Sequence, residues 1–335
     1  MTGPDHDIRL TEYLRTHKRE GVSDIVVTAL SGDASTRRYF RLTPAAGRSS
    51  IVALYPDPFD AAATPFYTVG EALIHMGLPL PKLIDHDGAL GIYEQEDLGD
   101  LTLQHVLSEA TPRQKVDLYR EAIDEIVQAQ REAPKAPQRA ACFHTAFDIE
   151  KLSWELHYFE KHFLELHRKA DLSVEDRSKL AEGFHSLAAQ IASWPRVLCH
   201  RDYHSRNLMQ HNGRLVWIDY QDARMGPATY DLASLLRDSY VSLEEEFVKD
   251  RAEEFRQKGV PDETRETFEQ RFELMSIQRN LKALGTFGYM AVVRSNPVYL
   301  PYIPGTLAHV KLNLARHPEL ASLASVLRRH IEELK

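Results

Sequence analysis

A two-residue turn constrains this chain more than any other feature. Asn212-Gly213 separates Leu208–His211 from Arg214–Ile218, and Asn-Gly is the strongest short-range signal for a tight β-hairpin. That turn sets a register: His211 pairs with Arg214, and counting back brings Asn207 opposite Ile218. Neighbouring strands lie about 5 Å apart, so Asn207 and Asp219 should meet at the open end of the hairpin. Asp202, five residues before Asn207, lies in the loop that leads in.

Three oxygen-bearing side chains converging on one point suit a hard cation such as Mg²⁺ with phosphate oxygens around it. The order is His200-Arg201-Asp202, a gap of four residues, Asn207, and then Asp219. This fits the phosphoryl-transfer template of protein kinases. In it Asp202 is the catalytic base that orients and deprotonates the attacking hydroxyl. Asn207 and Asp219 are the metal ligands. Such a reaction needs in-line positioning and charge neutralisation more than covalent chemistry, so few residues suffice. Two blander readings exist. Asp202 and Asn207 could cap a turn beside an ordinary strand-end Asp219. His200, Asp202 and His204 could ligate the metal of a hydrolase, although further histidines at useful spacing are lacking.

Elsewhere the pattern divides the chain. Ile25–Leu30, Tyr39–Leu42 and Ile51–Tyr55 are short β-branched or aromatic runs, the last two separated by a turn at Pro44–Arg48. Phe66, Val69, Leu73 and Met76 recur at helical spacing, with Gly77 placed to end the helix. Strands near Lys82–Asp85 and Leu90–Glu94 complete a small antiparallel sheet. Residues 102–131, 148–193, 229–257 and 264–292 are rich in helix formers. The expected architecture is therefore α+β and two-lobed, with residues 1–96 a nucleotide-binding lobe and 97–335 a catalytic, substrate-binding helical lobe.

The formal charge of −8, from 41 Lys and Arg against 49 Asp and Glu, argues against nucleic acid and anionic membranes as partners. Cys142 and Cys199 lack metal-ligand spacing and suggest buried thiols in a reducing compartment. No basic stretch followed by an apolar run opens the chain, and no segment approaches the roughly 18 apolar residues of a membrane span. A cytoplasmic enzyme with small-molecule partners is the expectation, with oligomeric state left open.

Several further strings carry a resemblance. They are Ser31-Gly32-Asp33-Ala34-Ser35-Thr36-Arg37-Arg38-Tyr39-Phe40-Arg41, Asp97-Leu98-Gly99, Asp219-Tyr220-Gln221-Asp222-Ala223, Thr229-Tyr230-Asp231 and Gln278-Arg279-Asn280-Leu281-Lys282. With the catalytic string they span nearly the whole chain and resemble the aminoglycoside phosphotransferase-like kinases. Among those, they look most like the bacterial N-acetylmuramate/N-acetylglucosamine anomeric kinases of cell-wall recycling. The resemblance implies a two-lobed kinase-like fold, ATP and Mg²⁺ as cofactors, and an amino sugar phosphorylated at its anomeric hydroxyl. It makes Gln95–Gly99 a hinge, with adenine bonding to the backbone of Glu96 and Leu98. It makes Asp231 a brace for the catalytic loop. Same-fold alternatives are a kinase of another hydroxyl (an unmodified hexosamine, an aminoglycoside, an amino alcohol) or an inactive nucleotide-binding regulator.

Two departures stand out. The third strand, Ser50–Tyr55, has no lysine to grip the triphosphate, and the preceding turn has one glycine, Gly32. Ser31, Ser35 and Thr36 in that turn, with Arg38 or Arg41 on the next strand, are the expected substitutes. Arg38 and Arg41 are an odd number of positions apart, so a regular strand points only one at the cleft. The bland reading makes Arg37, Arg38 and Arg41 a solvated edge. On the acceptor side the candidates are Asp222, His204, Arg206, Arg279 and Lys282, the last two on one helix face.

Overall fold

The computed structural model describes residues 8–17, 24–30 and 37–335. Helix α1 (Ile8–His17) precedes three strands, β1 (Ile25–Leu30), β2 (Arg38–Pro44) and β3 (Ser50–Leu54). Helix α2 (Pro65–His75) follows, then β4 (Leu83–Asp87) and β5 (Ile92–Glu96). The strands form one antiparallel sheet in the order β1-β2-β3-β5-β4. Phe40, Leu42, Val52, Leu54 and Ile92 project from one face and close over Leu10 and Tyr13 of α1. Each such fully buried side chain contributes about 1.5–3 kcal/mol. The N-terminal helix, which the sequence pattern did not single out, thus covers the outer face of the sheet.

Helix α2 starts as its sequence dictates. The Thr64 side chain accepts from the Tyr67 N–H and Pro65 occupies the first turn. It stops at Gly77, whose φ of +77° suits a left-handed terminus. Its apolar residues Val69, Leu73 and Met76 belong to the large helical core rather than to the sheet. The aromatic face continues across, with Phe66 stacked on Tyr220 at 5.3 Å.

Beyond Glu96 the chain is mainly helical. Helices α3 (Leu103–Glu109), α4 (Pro112–Glu132) and α5 (Ile149–Phe159) are followed by a π-helical stretch, Glu160–His167, and by α6 (Val174–Ala192). Then come β6 (Arg196–Cys199), β7 (Leu208–His211), β8 (Arg214–Trp217) and β9 (Arg224–Pro227). Helices α7 (Thr229–Leu236), α8 (Glu245–Gly259), α9 (Arg265–Val292), α10 (Ile303–Leu314) and α11 (Ala321–His330) complete the chain. Strands β7 and β8 form the expected hairpin, while β6 pairs with β9 in a second small sheet absent from the sequence reading. Those two strands are four residues each, too short for a period-2 pattern to register. Among the described residues no helix is long and apolar enough to cross a membrane.

Candidate active site

The β7–β8 register is His211↔Arg214 through Leu208↔Trp217. The turn residues Asn212 and Gly213 have φ of +50° and +80°. At the open end the Ile218 N–H donates to the Asn207 carbonyl at 3.1 Å. The Asn207 Nδ2 donates to the Asp202 carbonyl at 2.9 Å, which ties the catalytic loop to the hairpin. Asp219 follows in a left-handed conformation, φ +60° and ψ +35°. Arg201, beside Asp202, also has positive φ, +85°.

Non-glycine residues held this way cost of order 1–3 kcal/mol each and persist only where their surroundings fix them. Two buried carboxylates brace the catalytic segment, one of them at Arg201. Asp231, at the start of α7, accepts from the His200 N–H at 2.6 Å and the Arg201 N–H at 3.1 Å. Burial pushes its pKa up to about 7. Asp238, just after α7, accepts from Ser205 and Tyr240 N–H groups at 2.9 and 2.8 Å. The His200 ring reaches the Ile218 carbonyl through Nε2 at 3.0 Å, and burial keeps that ring neutral, so Nε2 is the donor. Asp231 has the bracing contacts expected of it; Asp238 is a second brace that sequence reasoning missed. Its signal was faint: the sequence pattern ran one helical stretch over 229–257, whereas α7 ends at Leu236.

Asp202 lies among cations. Lys282 Nζ donates to its Oδ1 at 2.8 Å and Arg279 reaches the same oxygen at 3.3 Å. Burial opposes ionisation, but Lys282, Arg201 and Arg279 outweigh it and hold the carboxyl well below its ordinary range. Arg279 also donates to the Tyr230 hydroxyl. Adjacent Gln278 donates to buried Glu155, and Asn280 donates to the Arg237 carbonyl at 3.0 Å. The string Gln278–Lys282 therefore works as one strut, anchoring α9 and aiming two cations at Asp202.

A cleft of about 690 Å³ runs from the sheet to α9, with Asp202, Asn207 and Asp219 on its wall. One end is an apolar slot between Ile51 and Ala53 of β3 and Met209 and Ile218 of the hairpin. Glu96 and Leu98 border it. Leu98 packs on Met209 and Val216 and accepts from His211 at its carbonyl. Ser31, Ser35 and Thr36 lie outside the described residues.

The arginines sort by strand alternation. Phe40 and Leu42 point to the α1 side of the sheet, so exposed Arg38 does too, its guanidinium over the Phe40 ring. Arg37, Tyr39 and Arg41 line the cleft. Arg41 is engaged by Asp97 and Asp100 at 2.8 Å each. Burial opposes ionisation of Asp97, but bonds from Ser49, the Gly99 N–H and Arg41 keep its pKa low. Arg37, by contrast, lies against Tyr55 and Tyr39 and reaches Asp219 Oδ1 at 3.4 Å. Arg37 and Arg41 thus lie on the cleft side, Arg37 beside Asp219, while Arg38 lies on the other face of the sheet.

Asp219 and Asn207 offer oxygen donors of the kind a hard cation prefers. Among the described residues no group of three or more His, Cys, Asp or Glu side chains could hold a metal. At the opposite end of the cleft Asp222 is exposed and pairs with Arg201 at 3.3 Å. His204 packs edge-on against Tyr240, and burial pulls its pKa down to about 3. Arg206 lies over Tyr240, Tyr299 and Tyr302.

A model of the phosphotransferase enzyme family matches residues 26–267. The chain belongs to that family. As a phosphotransferase it is an enzyme, a kinase by reaction type, and curated relatives match it nearly end to end. One is an N-acetylmuramate/N-acetylglucosamine kinase of Neisseria meningitidis serogroup B, 33% identical over 96% of this chain and 94% of the relative. Another of that name, from Pseudomonas aeruginosa, is 32% identical over 89% and 86%. Solved structures share the fold at low identity. A choline kinase from Cryptosporidium parvum Iowa II superposes with a TM-score of 0.61 at 13% identity, covering 93% of this chain and 95% of that one. An ADP-bound aminoglycoside phosphotransferase, APH(2'')-Ib, gives 0.59 at 15%, covering 91% and 98%. The phosphotransferase fold is thus the two-lobed kinase-like α+β arrangement expected from the sequence.

Proposed function

We propose that this phosphotransferase moves the γ-phosphoryl group of ATP to the anomeric hydroxyl of an N-acetylated amino sugar, N-acetylmuramate or N-acetylglucosamine, giving the sugar 1-phosphate. Residues 1–96 form the nucleotide lobe and 97–335 the catalytic and acceptor lobe. The observation that carries the reading is Asp202. It faces the cleft between an apolar slot suited to adenine and an acceptor end lined by polar groups. The full-length similarity to kinases named for those two sugars narrows the acceptor.

In this reading the adenine lies between Ala53 and Met209, bonding to the hinge backbone at Glu96 and Leu98. Arg37 holds the triphosphate where a kinase lysine otherwise would. Asn207 and Asp219 would hold Mg²⁺, which would supply neutralisation of phosphate charge. Asp202 accepts a hydrogen bond from the acceptor hydroxyl and aligns its oxygen with the phosphorus. Its low pKa makes it a weak base in the resting site, so the proton moves late, as the new O–P bond forms. His204 is likewise a weak base, since burial holds its pKa near 3. Lys282 and Arg279 face the same pole and neutralise charge that develops on acceptor and phosphoryl oxygens. Asp222 accepts from sugar hydroxyls.

The test is ADP release with and without each sugar, followed by phosphorus NMR of the product. A 1-phosphate with sugar-dependent ADP release supports the proposal. A different ester, or turnover only with another hydroxylated compound, replaces the acceptor. ADP release that no acceptor stimulates removes the kinase mechanism.

A further inference from the structure

Arg206 occupies an unusual seat for a catalytic-loop residue. Its guanidinium carbon lies 4.5 Å from the ring centre of Tyr240 and 5.7 Å from those of Tyr299 and Tyr302. The rings come from separate places: Tyr240 follows α7, while Tyr299 and Tyr302 lie in the turns before α10. Tyr302 stands edge-on to Tyr240 with centroids 4.9 Å apart. Gln104 of α3 fixes the arrangement, its Oε1 accepting from Arg206 Nε at 3.1 Å and its Nε2 donating to the Tyr240 carbonyl at 3.4 Å. Arg206, Tyr240 and Tyr299 all line the cleft at the end away from β3, next to His204.

Three tyrosine faces around one point make an aromatic cage, the arrangement that attracts ammonium and quaternary ammonium groups through the ring quadrupoles. Here the cage already holds a cation, one covalently part of the loop that carries Asp202. We propose that Arg206 is a specificity-determining residue: a resident cation that fills an acceptor-end aromatic cage and bars cationic acceptors. A second positive charge entering beside the guanidinium would meet like-charge repulsion at close range and find the rings taken. The excluded class is the alkylammonium alcohols. The inference rests on reading this end of the cleft as the acceptor end, and it does not depend on which sugar is phosphorylated.

The probe is tetramethylammonium, titrated into the full chain and into Arg206→Met with binding followed by NMR or calorimetry. The parent should show no saturable binding. The methionine variant should bind at least about tenfold more tightly than the parent, within the usual range of a cation–π cage. Adding Tyr240→Leu to that variant should abolish the gain. A methionine variant with a parent-like circular dichroism melt that ignores the probe would overturn the proposal. Should methionine prevent folding, Arg206→Gln repeats the test with a polar side chain. The parent also decides alone: choline competing with the sugar acceptor, or stimulating ADP release, would show that Arg206 bars nothing. Failure of every amino sugar as a substrate would sink the acceptor assignment yet leave the probe result readable.

Discussion

Lys282 and Arg279 keep Asp202 ionised throughout the neutral range, so its protonation state does not limit the reaction there. What the carboxylate contributes is an acceptor at a fixed place, and neutralising it isosterically removes most of that. Asp202→Asn is expected to lower kcat by about 10²–10⁴ while leaving ATP affinity nearly unchanged, as read by calorimetry. The same change leaves buried Arg279 and half-buried Lys282 without this partner and should also lower the melting temperature. Near-parent turnover would take Asp202 out of the mechanism. The arginines give a sharper contrast. Arg37→Ala should weaken ATP binding by about 1.5–3 kcal/mol, the worth of a charge-assisted contact. Arg38→Ala should bind ATP like the parent, since that side chain lies over Phe40 on the far face of the sheet. Equal effects at the two positions would mean that the strand does not present Arg37 alone.

Helix α9 is the element on which the site depends, because it carries both cations and packs closely against the turn of π-helix behind it. A Cβ on Gly288 would lie 2.3 Å from the His162 carbonyl oxygen and 3.0 Å from the Phe163 Cα. Backbone atoms cannot swing aside, so Gly288→Ala must push the two elements apart. It should destabilise the protein by about 1–3 kcal/mol, seen as a lower thermal midpoint, and should lower kcat by shifting Lys282 from Asp202. Gly305, in the first turn of α10, has nothing within 4 Å of such a Cβ. Gly305→Ala is the control: it should be neutral or stabilise by up to about 1 kcal/mol. A melt in which both variants behave alike would show that the α9 contact is not tight.

Across the whole molecule, one buried carboxyl joins the catalytic segment to the helical core. Glu125 of α4 accepts from Trp217 Nε1 at 2.7 Å and from the Tyr203 hydroxyl at 3.3 Å. Burial pushes its pKa up to about 8; the Trp217 bond lowers it, and the Glu121 charge adds to the rise. The folded protein therefore keeps a proton that the unfolded chain, with an ordinary glutamate near pH 4.5, gives up. Stability from this group is fully present below pH 4.5 and falls as pH rises toward 8, by about 1.4 kcal/mol for each unit of pH in that window. Above pH 8 the loss is complete and constant. Glu125→Gln should flatten that part of the stability profile, measured by urea denaturation from pH 5 to 9. An unchanged slope would place the proton elsewhere.

Local signals were enough for the hairpin. Asn212-Gly213 accepts positive φ at both positions, so the turn type and the pairing from His211 back to Asn207 follow from two residues and strand alternation. The meeting of Asn207 with Ile218 was legible for that reason, as were the strands of the sheet from Ile25 to Glu96, although β5 rather than β4 lies beside β3. The tertiary structure alone decided contacts that bridge distant segments. That Arg279 and Lys282 point at Asp202, 77 and 80 residues away, depends on how α9 crosses the catalytic loop, and no local propensity encodes a crossing. The choice of Arg37 over Arg38 needed the face of β2 that α1 covers. The cage around Arg206 needed three tyrosines from two segments far along the chain. Nearest-neighbour preferences specify backbone dihedrals and hence turns and registers. Which side chains share a pocket is set by packing the whole core, a term that no short window of sequence contains.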